Sequence, residues 1–281
     1  MKLAISNIAW DPASFAEVLS LMQKHEVTGL EIAPGLAFPG ESDPFAPSEK
    51  AVQDFKARMK ERSVSLVSMQ SLLFGIQGAN LFGNAEERAR FVAGIANAIR
   101  LGGRLGIPNL VLGSPKQRII PEGMAQADAL DIAADVLAPL GELAVEMDTV
   151  LALEPNPASY GTNFLTTTLS TLEFVRHYSL AGVAINFDIG AAIMNKETET
   201  VASQIHAIGA KYINHVHISE PLLAPAPADP TPLSRMASRI CAMGYDRWFS
   251  IEMRSPGRDG LSVVEDCMRR SSEALEACYG R

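Results

Sequence analysis

Four residues able to bind a metal each close a short apolar run: Glu154 in "LALEP", Asp188 in "INFDIG", His217 in "HVHISE" and Glu252 in "FSIEMR". They are separated by 34, 29 and 35 residues, so a repeating unit of about that length would supply one per repeat. Three carboxylates brought together at 4 Å would repel by roughly 4 kcal/mol per pair at an effective dielectric of 20. A shared proton would relieve that repulsion. A divalent cation relieves it at neutral pH and gives the imidazole a role as well. Three oxygen donors and one nitrogen suit Mn²⁺, Mg²⁺ or Co²⁺ better than a closed structural zinc site, with Zn²⁺ as a further candidate.

The elements that must position these residues alternate between short β-branched or apolar runs and longer amphipathic ones. That is the pattern of repeated βα units and a parallel sheet. The strand runs are "KLAISNI", "GLEIA", "VSLVSMQS", "NLVLGS", "VLALE", "VAINFD", "INHVHIS" and "WFSIEM". Helical stretches such as "AEERARFVAGIANAIRLGGRLG" and "TLSTLEFVRHY" lie between them, with Asn84 and Asp11 placed as N-caps. Eight units in a chain of 281 residues predict an α/β fold, a (β/α)8 TIM barrel forming one domain over 1–281. The rival, a doubly wound open sheet, usually shows a Gly-rich phosphate turn after an early strand, and none is present.

Alternation along the last four strands gives the register. With the four ligand candidates facing inward, Ala152, Asn186, His215 and Ser250 face inward too, while Leu153, Phe187, Val216 and Ile251 face the helices. Ile213 is predicted to share the face of His215 and His217, with His215 supporting His217.

A net charge of −8 argues against a nucleic-acid surface. No apolar run reaches the roughly 18 residues of a membrane span and no signal-peptide pattern opens the chain, so a cytoplasmic protein is expected. Cys241, Cys267 and Cys278 lack CxxC spacing and read as free thiols.

The order Glu, Asp, His, Glu in "LALEP", "FDIG", "HVHISE" and "IEM" resembles the xylose isomerase-like barrel superfamily. Within it, the resemblance is to the sugar phosphate isomerase/epimerase branch that includes ketose 3-epimerases and hydroxypyruvate isomerases. The resemblance spans the chain and is weak in the first half. It implies a metal held by Glu154, Asp188, His217 and Glu252, with Glu154 and Glu252 also serving as the acid/base pair. It further implies enediolate-type proton transfer, giving epimerisation or isomerisation according to where the proton returns. The chain departs from the epimerase pattern at Ala191, where relatives commonly carry histidine. It departs again in "SEPLLAPAPADPTP", where they tend to carry arginine.

Other residues fall at expected strand ends and are candidates for substrate binding. Lys116 and Arg118 in "GSPKQR", and Arg254 beyond Glu252, could bind a carboxylate or phosphate. Asn7 offers hydrogen bonds and Trp10 an apolar wall. Glu31 and Gln70 close the second and third strands, and Tyr160 and Asn163 follow Glu154. Two long connections, "APGLAFPGESDPFAPS" and the Pro-rich segment after His217, complete the mouth, the latter as a stiff element.

The leading reading is a divalent-metal isomerase or epimerase of a small hydroxy-carbonyl compound: a sugar, sugar phosphate or sugar acid. The alternatives are a metal-dependent lyase of the inosose-dehydratase type and a non-catalytic metal- or sugar-binding barrel. An endonuclease IV-like phosphodiesterase is disfavoured by charge and by the small number of histidines. The partner expected is a sugar-like small molecule, anionic if the basic residues bind it. Neither nucleic acid nor membrane is expected, and homo-oligomerisation is left open.

Overall fold

The computed structural model describes residues 2–201, 203, 210–257 and 259–276. Eight parallel strands close into a barrel in the order of the sequence: β1 Leu3–Ser6, β2 Gly29–Ile32, β3 Ser65–Met69, β4 Leu110–Leu112, β5 Leu151–Leu153, β6 Val183–Asp188, β7 Ile213–Ile218 and β8 Phe249–Ile251. β8 returns to pair with β1, Leu3 lying opposite Phe249, so no edge is left exposed. All eight strand runs read from the sequence are strands here, and the fold is the (β/α)8 barrel.

The helices form where propensity and capping agree. Asn84 accepts from Glu86 N and Glu87 N, and Glu87 returns a bond to Asn84 N, a reciprocal cap that starts the helix Ala85–Leu105. That helix stops at Gly106, whose φ of 71° a left-handed terminus favours. Thr167 caps Thr168–Tyr178. Asp11 caps a short turn, Pro12–Ser14, which runs into the helix Phe15–Lys24. Among the described residues no helix is long and apolar enough to cross a membrane. Cys241 and Cys267 are free thiols, and Cys278 lies outside the described residues.

The structure corrects the expected strict alternation in β7. Ile213 pairs with Ile185, but the next pair is Asn186 with His215, which leaves Asn214 as an extra, bulged residue. Asn214 reaches Asn109 Oδ1 at 2.7 Å and Pro108 O at 3.4 Å, both leading into β4. Ile213 joins the apolar core. His215 and His217 keep the register that matters, paired with Asn186 and Asp188.

The Pro-rich segment is shorter than expected as a loop, because Pro230 and Pro232 fall in the first turn of the helix Pro230–Ala242, where a missing N–H is not needed. The remainder is tied down at three points. Glu220 Oε1 accepts from Ala228 N at 2.8 Å, Arg254 N donates to Leu223 O at 2.8 Å, and Leu222 N donates to the Tyr160 hydroxyl at 3.1 Å.

Helix Gln126–Glu146 approaches the lead into β6 closely at Gly141, where a Cβ would sit 2.1 Å from Ala181 O. Backbone cannot yield as a side chain can. Gly141→Ala should therefore destabilise the barrel by about 1–3 kcal/mol. Thermal melting should show a fall of roughly 2–4 °C per kcal/mol. An unchanged melting temperature would contradict this close approach.

Candidate metal and substrate site

At the C-terminal mouth the ends of β5, β6, β7 and β8 bring Glu154, Asp188, His217 and Glu252 together, one donor atom of each lying within 4.8 Å of the others. From His217 Nδ1 the distances are 3.0 Å to Glu154 Oε1, 3.2 Å to Glu252 Oε2 and 3.8 Å to Asp188 Oδ2. Yet Nδ1, fully buried, makes no hydrogen bond. The other ring nitrogen explains why. Nε2 lies 2.9 Å from Glu31 Oε2, and a carboxylate there calls for the proton on Nε2, which leaves a lone pair on Nδ1 facing three carboxylates. A nitrogen without a hydrogen-bond partner and three carboxylates beside it form a donor set that fits a divalent cation.

The electrostatics point the same way. Burial, then the charges of Glu154 and Glu252, pushes Asp188 up to about 7. Burial also raises Glu252, with Glu154 and Glu31 adding to it against the opposing pull of His217. Both groups thus hold a proton more readily than an exposed carboxylate, or would give it up to a cation. Burial disfavours a charge on His217, but the charges of Glu252 and Glu31 and the nearby carboxylate oxygens of Glu154 and Glu252 outweigh it and hold the ring well above its ordinary range. Without a metal, a doubly protonated imidazole would take the cation's place.

Supporting bonds fix each donor. Glu31 is fully buried and accepts from Gln70 Nε2 at 2.7 Å, and Gln70 also bonds Ser6 Oγ at 2.8 Å. Burial works against the Glu31 charge, but His217 and His215 overcome it and hold the group down at about 2. His215 stays neutral, lowered to about 3 by burial, and bonds Ser250 Oγ at 2.7 Å. Asp188 caps the helix Ile189–Met194 by accepting from Ala191 N, and takes a 2.6 Å bond from Ser219 Oγ.

A cavity of about 490 Å³ opens above the cluster. Glu154, Asp188 and Glu252 form its floor, and Tyr160, Ala191, Leu222 and Arg254 are among its walls. That is the size of an ordinary small-molecule site. A 540 Å³ cavity at the opposite end of the barrel, beside Val27 and Val64, gathers no comparable ligand set among the described residues.

The remaining sequence candidates fall into two groups. Arg254 and Tyr160 line the cavity; burial raises the Tyr160 pKa, so its hydroxyl keeps its proton. The others do not line it. Lys116 is exposed on the turn Pro115–Gln117. Trp10 is buried and stacks on Phe15. Glu31 and Gln70 sit beneath the cluster. Asn7 spends its amide on Ala33, accepting from N at 2.7 Å and donating to O at 3.3 Å, and Asn163 clips Ile120 in the same way at 2.7 and 3.0 Å. Arg118 is 1% exposed and its Nη2 donates to Glu154 O and Asn156 Oδ1, both at 2.9 Å.

Two residues beyond the sequence candidates hold Glu154. Asn186 Nδ2 donates to Oε1 at 2.8 Å and Asn156 Nδ2 to Oε2 at 3.0 Å. The first was legible as an inward-facing residue two before Asp188. The second had only the signal of a polar residue between two prolines in "LEPNP".

Residues 10–277 match the xylose isomerase-like TIM barrel family, and the chain belongs to it. No curated protein sequence matches. Among solved structures, a 3-keto-D-glucoside 4-epimerase from E. coli superposes with a TM-score of 0.74 at 18% identity over 100% of both chains. A D-psicose 3-epimerase from Clostridium cellulolyticum H10 gives 0.73 at 17% identity over 99% of each chain. A zinc-bound IolI protein gives 0.69 at 14%, covering 99% of this chain and 98% of the other. At these identities the likeness shows the fold.

If Glu31 fixes the His217 tautomer, Glu31→Gln should weaken Mn²⁺ binding by about 10–100-fold in calorimetric titration. Asp188→Ala combined with His217→Ala should abolish it. Unchanged affinity in Glu31→Gln would remove Glu31 from this role.

Proposed function

We propose that this chain is a divalent-metal-dependent isomerase or epimerase of a small, sugar-like hydroxy-carbonyl compound. The observation that carries the reading is the convergence of Glu154, Asp188 and Glu252 on the unpartnered His217 Nδ1 at the floor of an open cavity. The epimerase neighbours support the class of substrate.

Glu154, Asp188, His217 and Glu252 would hold the cation. When bound, it supplies positive charge that lowers the cost of building negative charge on a substrate carbonyl oxygen. The protein's own part is proton movement. Glu154 and Glu252 both line the cavity, so a substrate on its floor has a carboxylate on either hand. One carboxylate takes the proton from the carbon beside the carbonyl. The other returns a proton to the opposite face of that carbon, or the proton goes back to the neighbouring carbon, so that the substrate is rearranged with no net change in composition. Tyr160 keeps its hydroxyl proton and can donate it to a substrate oxygen.

Free-ketose 3-epimerisation is the least supported member of this class. Ala191 presents a methyl to the cavity where the epimerase pattern has histidine, and the wall after β7 is Leu222 and Leu223 in place of arginine. In our reading, Arg254 is the cation that meets the far end of the substrate.

Metal-loaded protein incubated in D₂O with a panel of ketoses, aldoses and their acids and phosphates should incorporate deuterium next to the carbonyl of at least one. Glu154→Gln and Glu252→Gln should each lose roughly 10²–10⁴-fold in turnover with metal content retained, and one of them should keep part of the exchange without conversion. Normal turnover in either metal-loaded variant would make that glutamate a ligand only.

A further inference from the structure

We propose that Arg118 is a positioning residue that acts through Asn156 to orient the proton-transferring oxygen of Glu154. The inference rests on the acid/base role proposed for Glu154 and adds how that role is built.

The two oxygens of Glu154 are differently placed. Oε1 takes the Asn186 amide at 2.8 Å and lies 3.0 Å from His217 Nδ1, which commits it to the cluster. Oε2 takes a single bond, 3.0 Å from Asn156 Nδ2, and Asn156 and Glu154 line the cavity together. Oε2 is therefore the oxygen left for proton transfer, and the Asn156 amide decides where its remaining lone pair points.

An asparagine amide can present either end. Arg118 and its surroundings settle the choice together: a guanidinium only donates, while the Glu154 carboxylate and the Pro155 carbonyl, 3.3 Å from Nδ2, only accept. Both protons of its Nη2 are used on this segment, one on Glu154 O and one on Asn156 Oδ1, each at 2.9 Å. With Oδ1 committed to Arg118, the NH₂ must face Glu154. A flipped amide would set Oδ1 against the carboxylate and NH₂ against the guanidinium, two repulsive contacts in place of two bonds.

Four further features show that the arrangement is built in. Gly113 leaves the necessary room, since a Cβ there would lie 2.7 Å from Glu154 Oε2. The segment carrying Arg118 is anchored by Thr162 Oγ1, which donates to Arg118 O at 3.0 Å, and by the Asn163 clip on Ile120. Glu252, by contrast, has no amide donor on its carboxylate among the bonds described; its neighbour is His217 at 3.2 Å. Arg118 also keeps a charge at 1% exposure with Nε and Nη1 unpartnered, an expense that simple loop packing does not require. Burial lowers its pKa, opposed by the Glu154 charge, to about 10, so it remains a cation at neutral pH.

The test uses the ¹⁵N-labelled, Mg²⁺-loaded full chain with Arg118→Met, Asn156→Ala and the double variant. The Asn156 side-chain amide pair is identified by its loss in Asn156→Ala. In the wild type the pair should be well separated and slow to exchange with solvent. In Arg118→Met it should collapse to a free-amide signal or split into two orientations, with the metal still bound. Deuterium exchange that depends on Glu154, assayed on the same panel of ketoses, aldoses and their acids and phosphates and defined as the part removed by Glu154→Gln, should fall about 10–100-fold in each single variant. The double variant should be no worse than Asn156→Ala, because the two act in series. Arg118→Lys should restore part of the loss and serves in place of Arg118→Met if that variant does not fold. An Asn156 amide signal unmoved by Arg118→Met, or losses that add, would overturn the proposal. If Glu154→Gln leaves exchange intact, or no compound of the panel exchanges, the acid/base reading is what fails, and the amide signals still decide whether Arg118 orients Asn156.

Discussion

The interaction on which the site depends is the mutual repulsion of Glu154, Asp188 and Glu252 around an imidazole nitrogen that makes no hydrogen bond. Bringing three carboxylates out of water and against one another is unfavourable unless positive charge is shared among them. The surroundings are arranged around that demand. Glu31 accepts from Nε2–H, Gln70, itself bonded to Ser6, holds Glu31, and Ser219, Asn186 and Asn156 each donate to one carboxylate oxygen of the cluster. With the donors fixed in advance, a cation needs little further ordering to bind, which is the condition for both affinity and selectivity.

The barrel makes this affordable in structural terms. The ends of β5, β6, β7 and β8 each deliver one residue to the cluster, one βα unit apart. The loops that carry the walls are clipped to one another: Asn7 holds Ala33, Asn163 holds Ile120, and Tyr160 and Arg254 both meet the segment Leu222–Leu223. The mouth is thus a set of short, bonded turns. Buried apolar residues between the strands and helices provide the stability, which leaves the interior of the barrel free to carry polar groups that would be costly elsewhere.

Much of this was legible from residue types and spacing. Eight runs with strand character gave the barrel, and four ligand-type residues about one unit apart gave the cluster, because both depend on local sequence. What escaped depends on contacts far apart in the chain. Glu31 reads as a pocket residue from its strand end, and only closure of the barrel sets it on His217, 186 positions away. Arg118 reads as a cation of the mouth able to bind a substrate carboxylate or phosphate, yet it lies buried with its Nη2 on Glu154 O. Asn7 and Asn163 look available for a ligand and are spent on neighbouring backbone. The bulge at Asn214 interrupts an alternation that the sequence alone would continue. Hydrogen-bond partners of amides are chosen by tertiary geometry, and residue type does not announce them.

In the proposed function His217 presents Nδ1 to a cation held jointly with Glu154, Asp188 and Glu252. Anomalous diffraction at the manganese edge from crystals of Mn²⁺-loaded protein is the decisive measurement. One strong peak is expected at the mouth of the barrel, bonded to His217 through Nδ1 and to all three carboxylates, with Nε2 still on Glu31. A fully loaded crystal with no peak there, or a metal bound to Nε2 with Glu31 displaced, would contradict it.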